Sequence, residues 1–161
     1  MIFYKNAKNI MSESPDKIKI YTDGSCLGNP WPWWYGAVLM FGDHVKTIRW
    51  WATDTTNNRM ELKAVIHWLD ELKKYNIPVY MYVDSKYVKD GITKYIDKWK
   101  QNGWKTSSNN DVKNKDLWQQ LDKKVDKIDK ISWSWVKAHD GNHMNELVDK
   151  IAKKKAHEYQ G

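Results

Sequence analysis

The spacing of apolar residues changes along the chain, and this change restricts the fold class more than any other feature. Residues 17–22 alternate between apolar and polar side chains, as in a strand with one buried face. Two further strand-like runs, 35–41 and 45–51, flank Gly42-Asp43-His44, which predicts a β-hairpin. Apolar side chains then recur at helical spacing over 58–75. The first part of the chain therefore predicts three strands followed by a helix.

The remaining segments continue this alternation. A short strand is predicted at 79–83, and Ser85 after it can cap a following helix. The later predicted elements are helices over 92–105 (stopped by Gly103) and 113–125, a strand at 131–136, and a helix from about Met144 to Tyr159. Strands separated by helices after an initial hairpin predict an α/β fold with a mixed sheet.

The length and the lack of export signals favour one cytoplasmic domain. The chain has 161 residues and one cysteine, Cys26, which cannot form an internal disulfide. No apolar run approaches the ~20 residues of a membrane span, and residues 1–16 resemble neither a signal peptide nor a separate domain. We expect a loose lead-in at 1–16, a single catalytic domain at 17–161, no membrane contact, and a monomer without an obligate protein partner.

The charge indicates a polyanionic partner. The net charge is +7, and only Arg49 and Arg59 are arginines. Lysine is a point charge without the fork of arginine, so this surface suits a nucleic acid bound through its backbone. A basic surface that serves only solubility is equally compatible with the charge alone.

Four acidic residues share a pattern of placement. Asp23 and Asp84 end predicted strands, while Glu61 and Asp149 lie in the first turns of predicted helices. In open α/β sheets these positions gather in one crevice, where four carboxylates would repel one another unless a cation intervened. Hard oxygen ligands favour Mg²⁺ or Mn²⁺, and two such ions form a common clamp for phosphodiester displacement. Any one of these acids, taken alone, is more commonly a solvated surface group or a charge at a helix N-terminus, and the spacing by itself does not exclude this.

Six segments resemble, in order and spacing, those of bacterial-type ribonuclease H of type I: YTDGSCLGNP, TTNNRMEL, YVDSKYVKDGI, WKQNGWKT, NKDLWQQLD and WVKAHDGNHMNELVD. The resemblance covers residues 17–158. It implies the ribonuclease H-like fold, a five-stranded mixed sheet with helices on both faces. It also implies hydrolysis of the RNA strand of RNA–DNA hybrids by a two-metal-ion mechanism, leaving 5′-phosphate and 3′-hydroxyl ends.

The resemblance also assigns roles to individual residues. It makes Asp23, Glu61, Asp84 and Asp149 the ligands of two Mg²⁺ ions, for which Mn²⁺ can substitute. It makes His139 the residue that assists proton transfer, a role that suits an imidazole in a glycine-containing loop. The residues that match substrate contacts of the family are Asn29, Thr56, Asn57, Asn58, Trp99, Lys100, Trp104 and Lys105. Trp99 and Trp104 could instead be helix core residues.

Two features depart from the family pattern. Trp31, Trp33, Trp34, Trp50 and Trp51 stand where the family commonly has glycine or other small residues. We hypothesise that these are glycine sites read as tryptophan through a reassigned UGA codon, which ordinary UGG codons at all five positions would contradict; a native aromatic patch is the alternative. Lys86 follows Asp84-Ser85 where the bacterial pattern often has glutamine. Its cation is expected to lie close to the scissile strand and to contact substrate.

Two other functions remain open. The chain could bind hybrids without cutting them, although a pure binding protein would gain from having fewer acids facing phosphate. It could instead be a nuclease of the same fold that acts on DNA. The Asn57-Asn58 pair disfavours this second alternative, because it suits recognition of a 2′-hydroxyl.

Overall fold

The computed structural model describes the backbone of residues 2–4, 17–25, 33–42, 44–52 and 55–137, and the side chains of 17–22, 37–42, 44–48 and 55–137. The strands in these ranges are β1 (Ile2–Tyr4), β2 (Ile18–Ser25), β3 (Trp33–Phe41), β4 (His44–Ala52), β5 (Val79–Val83) and β6 (Ile131–Trp135). The helices are α1 (Asn57–Asp70), α2 (Lys86–Asp90), α3 (Ile96–Gln101) and α4 (Lys115–Val125), with a π-helical turn at Gly91–Tyr95. The helix expected from about Met144 lies outside the described residues.

The described strands form one mixed sheet in the order β1-β4-β3-β2-β5-β6. The predicted hairpin is β3 and β4, and Gly42 at its turn has a φ of 53°, in the left-handed region. β2 is antiparallel to β3 and parallel to β5, which in turn is parallel to β6. The predicted mixed sheet with helices is confirmed, including all five predicted strands. A sixth short strand, β1, pairs with β4 at the edge and comes from the segment predicted to be a lead-in.

The core lies between α1 and one face of the parallel strands. Ile18 and Ile20 of β2 lie opposite Val79 and Met81 of β5, and all four are buried. Helix α1 packs against β2, β3 and α4, and its buried apolar stripe includes Leu62, Val65 and Leu69. Burial of each such side chain contributes about 1.5–3 kcal/mol. No helix in the described part of the chain is long and apolar enough to cross a membrane.

Residues 86–101 form a continuous helical segment that begins earlier than the predicted helix over 92–105. The cap explains this start, because the Ser85 hydroxyl accepts the Val88 N–H at 3.2 Å, as the sequence predicts for this residue. The segment ends at Gln101, just before Gly103 and Trp104, which have φ of 62° and 64°. Left-handed residues end helices, so the predicted stop at Gly103 agrees with the structure.

A side-chain network joins the first turn of α1 to α4. The two guanidinium nitrogens of Arg59 donate to the two carboxylate oxygens of Asp116 at 3.0 and 2.7 Å. Arg59 also donates to Asn114 Oδ1 at 3.2 Å, and the Asn114 amide donates to the Tyr87 hydroxyl at 3.0 Å. This network ties the start of α1, which carries Glu61, to α2 through Tyr87 and to α4 through Asp116.

We expect Asp116→Asn to lower the free energy of unfolding by about 1 kcal/mol at pH 7, since the pair is bidentate but partly exposed. Hydrogen bonding to Arg59 lowers the pKa of Asp116. The stabilisation is therefore present above the carboxyl pKa of the unfolded chain, about 4, and is lost as the pH falls through the lower folded value. Urea unfolding at pH 7 and pH 3 measures this. A difference between wild type and variant that persists undiminished at pH 3 would contradict it, and Asp129→Asn, at an exposed position, is the control.

Candidate active site

The register of the two parallel strands β2 and β5 places two predicted metal ligands side by side. Thr22 is paired with Val83, and Asp23 and Asp84 are the next residue of each chain segment. Adjacent strands lie about 4.8 Å apart. The backbones of Asp23 and Asp84 therefore sit at neighbouring positions at the carboxyl end of the sheet. The side chain of Asp23 lies outside the described residues, whereas that of Asp84 is half-buried, with Oδ1 fully covered.

Glu61 is a buried carboxylate in the second turn of α1. Its side chain is only 7% exposed, which is rare for an acid in a folded protein. Burial raises the pKa of the Glu61 carboxyl, and hydrogen bonds from Ser85 and Asn57 partly oppose the rise. The Asn57 amide donates to Oε1 at 2.9 Å. Glu61 is thus held in place by one residue of its own helix and by one residue next to Asp84.

Ser85 connects the segment that carries Asp84 with Glu61 of α1. It is buried and follows Asp84 directly, and it both caps α2 and hydrogen-bonds Glu61. The helix cap is predicted from the sequence, whereas the contact with Glu61 is not. The contact between Ser85 and Glu61 therefore links the backbone directly after Asp84 to the Glu61 carboxylate.

The described part of the site fits a hard divalent cation. Glu61 and Asp84 supply carboxylate oxygens, which Mg²⁺ and Mn²⁺ prefer. Burial raises the pKa of the Glu61 carboxyl because it disfavours the ionised form, and a bound cation would favour that form. Among the described side chains there is no group of three or more potential metal ligands. Two of the four predicted ligands, Asp149 and the Asp23 side chain, are not among them.

The start of α1 also carries three of the predicted substrate contacts. Thr56 caps the helix by accepting the Arg59 N–H at 3.3 Å, and Asn57 uses its amide on Glu61. Thr56 and Asn57 are exposed and Asn58 is half-buried, so all three reach the surface beside Glu61. Their substrate role stays a prediction. The structure adds a second role for Asn57, which is to orient Glu61.

Four further predicted substrate contacts, Trp99, Lys100, Trp104 and Lys105, lie along α3 and the loop after it. Trp99 and Trp104 are half-buried and pack against the core, and the ring of Trp99 meets Trp118 edge-on at 5.3 Å. The alternative interpretation as core residues therefore accounts for part of each ring. Lys100 pairs with Asp122 at 2.9 Å and Lys105 with Asp111 at 3.0 Å. A phosphate bound by either lysine would have to compete with a carboxylate already in contact.

Lys86 and Trp135 form a contact that the sequence pattern does not reveal. Lys86 Nζ lies 4.6 Å from the centre of the Trp135 ring, and the Trp135 indole N–H donates to the Asp84 carbonyl at 2.9 Å. Trp135 ends β6 and is 40% exposed. The only signal in the sequence is its position at the end of a strand, the same kind of position that singles out Asp84.

Several predictions fall outside the described residues. These are Asn29, His139 and Asp149, and they stay predictions. Trp31 is also outside, but the backbones of Trp33 and Trp34 lie in β3 and those of Trp50 and Trp51 in β4. Trp34 is paired with Trp51, and Trp50 with Tyr35. Extended strands favour aromatic residues, so at these four positions the secondary structure itself does not demand glycine.

Comparison with known proteins gives a consistent result. The family model for RNase H matches residues 15–157. Ribonuclease H of Idiomarina loihiensis is 51% identical over 136 residues, which cover 84% of this chain and 85% of that protein. Ribonuclease HI of Haemophilus influenzae is 51% identical over 142 residues, covering 88% and 91%. Among solved structures, LC9-RNase H1, a type 1 RNase H with the type 2 active-site motif, has a TM-score of 0.67 at 28% identity, covering 89% of this chain and 76% of that one.

Proposed function

Because the chain belongs to the RNase H family, we propose that it is an endoribonuclease that hydrolyses the RNA strand of RNA–DNA hybrids, leaving 5′-phosphate and 3′-hydroxyl ends. The observation that carries the proposal is the pairing of β2 with β5, which brings Asp23 and Asp84 to neighbouring positions beside the buried Glu61. Such a group of acids at the carboxyl end of a sheet suits metal-assisted phosphodiester hydrolysis.

Members of the family are metal-dependent, and we propose that this chain uses two Mg²⁺ ions, for which Mn²⁺ can substitute. Asp23, Glu61, Asp84 and Asp149 would hold them. When bound, such ions lower the pKa of a nearby water and neutralise charge on phosphoryl oxygens. All four ligands come from one chain, so the proposal needs no second subunit.

Side chains of this chain orient Glu61, contact the substrate backbone and exchange a proton. Asn57 and Ser85 hold the Glu61 carboxylate in one orientation, so that little reorganisation is needed when substrate binds. Thr56, Asn58 and the exposed edge of Asn57 lie where a sugar–phosphate backbone can approach Glu61. His139 is proposed to exchange a proton with water or with the leaving oxygen. The basic surface contributes general affinity for the hybrid.

We expect Mg²⁺-dependent cleavage of an end-labelled RNA strand only when it is paired with DNA. The assay compares the hybrid with duplex RNA, duplex DNA and single-stranded RNA, with and without EDTA, and the product ends are mapped. Binding of the hybrid without cutting by folded protein would favour the loss of catalysis. Cutting of duplex DNA would favour the DNA nuclease instead, and either result would overturn the proposal.

A further inference from the structure

Trp135 occupies an unusual position for a large aromatic residue. It is the last residue of β6 and 40% of its surface is exposed, whereas Trp68 and Trp118 are fully buried. The parallel pairing of β5 with β6 sets Trp135 opposite Val83, one residue before Asp84. Trp135 therefore lies at the same end of the sheet as the predicted metal ligands, although it is 51 residues from Asp84 in sequence.

The indole N–H and the ring face of Trp135 each make a contact. Its N–H donates to the backbone carbonyl of Asp84 at 2.9 Å, and the neighbouring Val136 N–H donates to Val83 at 2.9 Å. These bonds extend the β5–β6 pairing past the end of the strand. The face of the ring carries the Lys86 ammonium at 4.6 Å, within the ~6 Å range of a cation–π contact.

This contact determines where the Lys86 charge sits. Lys86 is exposed and is the first residue of α2, so without a partner its long side chain would sample many rotamers. The next lysine of the helix, Lys89, instead lies 3.8 Å from the carboxylate of Asp90. A cation–π contact leaves the Lys86 ammonium charged, whereas an ion pair neutralises the charge.

We propose that Trp135 is a positioning residue that holds the Lys86 ammonium beside Asp84, where it contacts a phosphate of the nucleic-acid backbone. The proposal rests on the proposed hybrid substrate. Trp135 acts through Lys86, so removing either residue removes the same phosphate contact. The N–H bond to Asp84 orients the ring, and the ring orients the lysine.

The first test is a double-mutant cycle of hybrid binding, measured by fluorescence anisotropy in the Asp84→Asn background so that no cleavage occurs. We expect Lys86→Met and Trp135→Leu each to weaken binding severalfold and to reduce the slope of log Kd against log salt by about 1, as for one lost phosphate contact. The double variant is expected to bind no more weakly than either single variant. Effects that multiply in the double variant would overturn the proposal.

Two further variants separate positioning from general damage to the fold. Trp135→Phe keeps an aromatic face and should retain most of the binding that Trp135→Leu loses, and equal losses in both would contradict a role for the ring. Lys89→Met is the matched lysine control. Its effect on binding is expected to be the same with or without Trp135, because the two residues share no contact.

The last measurement needs no substrate. Carbon-13 relaxation of the Lys86 ε-methylene in the free protein should show a restricted side chain that becomes mobile in Trp135→Leu and stays restricted in Trp135→Phe. An equally mobile Lys86 in all three proteins would overturn the proposal even if hybrid cleavage is observed. Conversely, absence of hybrid binding with a restricted Lys86 would show that the proposed substrate, and not the contact with Trp135, is at fault.

Discussion

Replacing Asp84 with asparagine is expected to abolish hybrid cleavage while hybrid binding stays measurable. The two side chains have nearly the same shape, so the half-buried position next to Ser85 is preserved and the charge alone is lost. A neutral amide is a poor ligand for a hard divalent cation. We expect the cleavage rate to fall at least about 1,000-fold, which is about 4 kcal/mol of transition-state stabilisation. Single-turnover cleavage and hybrid anisotropy measure the two quantities.

The matched control is Asp90→Asn, which removes an acid from the end of α2. Asp90 pairs with Lys94 at 3.0 Å on the helix surface, and we expect cleavage to stay within about twofold, because Asp90 is not among the proposed metal ligands. Retained turnover in Asp84→Asn would refute the role given to Asp84. Loss of circular dichroism in that variant would instead point to misfolding, and Asp84→Glu would then be used to test whether a carboxylate restores metal-dependent cleavage.

Replacing Gly91 with alanine is expected to lower the free energy of unfolding by about 3 kcal/mol, as for an overpacked core. A Cβ built on Gly91 would lie 2.0 Å from Cη2 of Trp118, far closer than atoms can approach. The indole cannot move aside easily, because it is fully buried and its N–H donates to Tyr87 at 3.1 Å. The absence of a side chain at Gly91 thus allows the π-helical turn to cross the indole closely. Urea unfolding measures the loss, and we expect the m-value to stay unchanged.

Gly103→Ala serves as the control for this change. Gly103 has a left-handed φ of 62° but nothing within 4 Å of a built Cβ, so only the backbone cost of about 1 kcal/mol is expected. An alanine in an ordinary helix stabilises by up to about 1 kcal/mol relative to glycine. A neutral or stabilising Gly91→Ala would therefore show that the close packing against Trp118 is not maintained in solution.

The predicted elements agree with the structure wherever local chemistry decides them. The alternation over 17–22 and the run at 79–83 are strands. The helix predicted over 58–75 is α1, which ends earlier, at Asp70. Ser85 caps a helix as expected. The next helical segment begins at Lys86, earlier than the predicted residue 92, and contains a π-helical turn in which Gly91 packs closely against Trp118.

In the candidate site, too, the sequence identifies some residues, whereas others become apparent only from their contacts in the structure. Asp84 and Glu61 can be selected from their places at the ends of elements, and the resemblance to a known family assigns them a role. The contact of Asn57 with Glu61 spans four residues of one helix and was not anticipated, because the same resemblance assigned Asn57 to the substrate. Trp135 was missed, since no local pattern distinguishes a tryptophan that ends a strand from one that is merely exposed.

The sequence by itself determined the order of elements, the family and the acids that end strands, because apolar period, caps and motifs are properties of neighbouring residues. Only the tertiary structure decided which of these ends meet. The parallel pairing of β2, β5 and β6 brings Asp23, Asp84 and Trp135 together from positions far apart in the chain. The physical reason is that strand order and register depend on how α1 and the sheet bury their apolar faces together, which is a property of the whole chain.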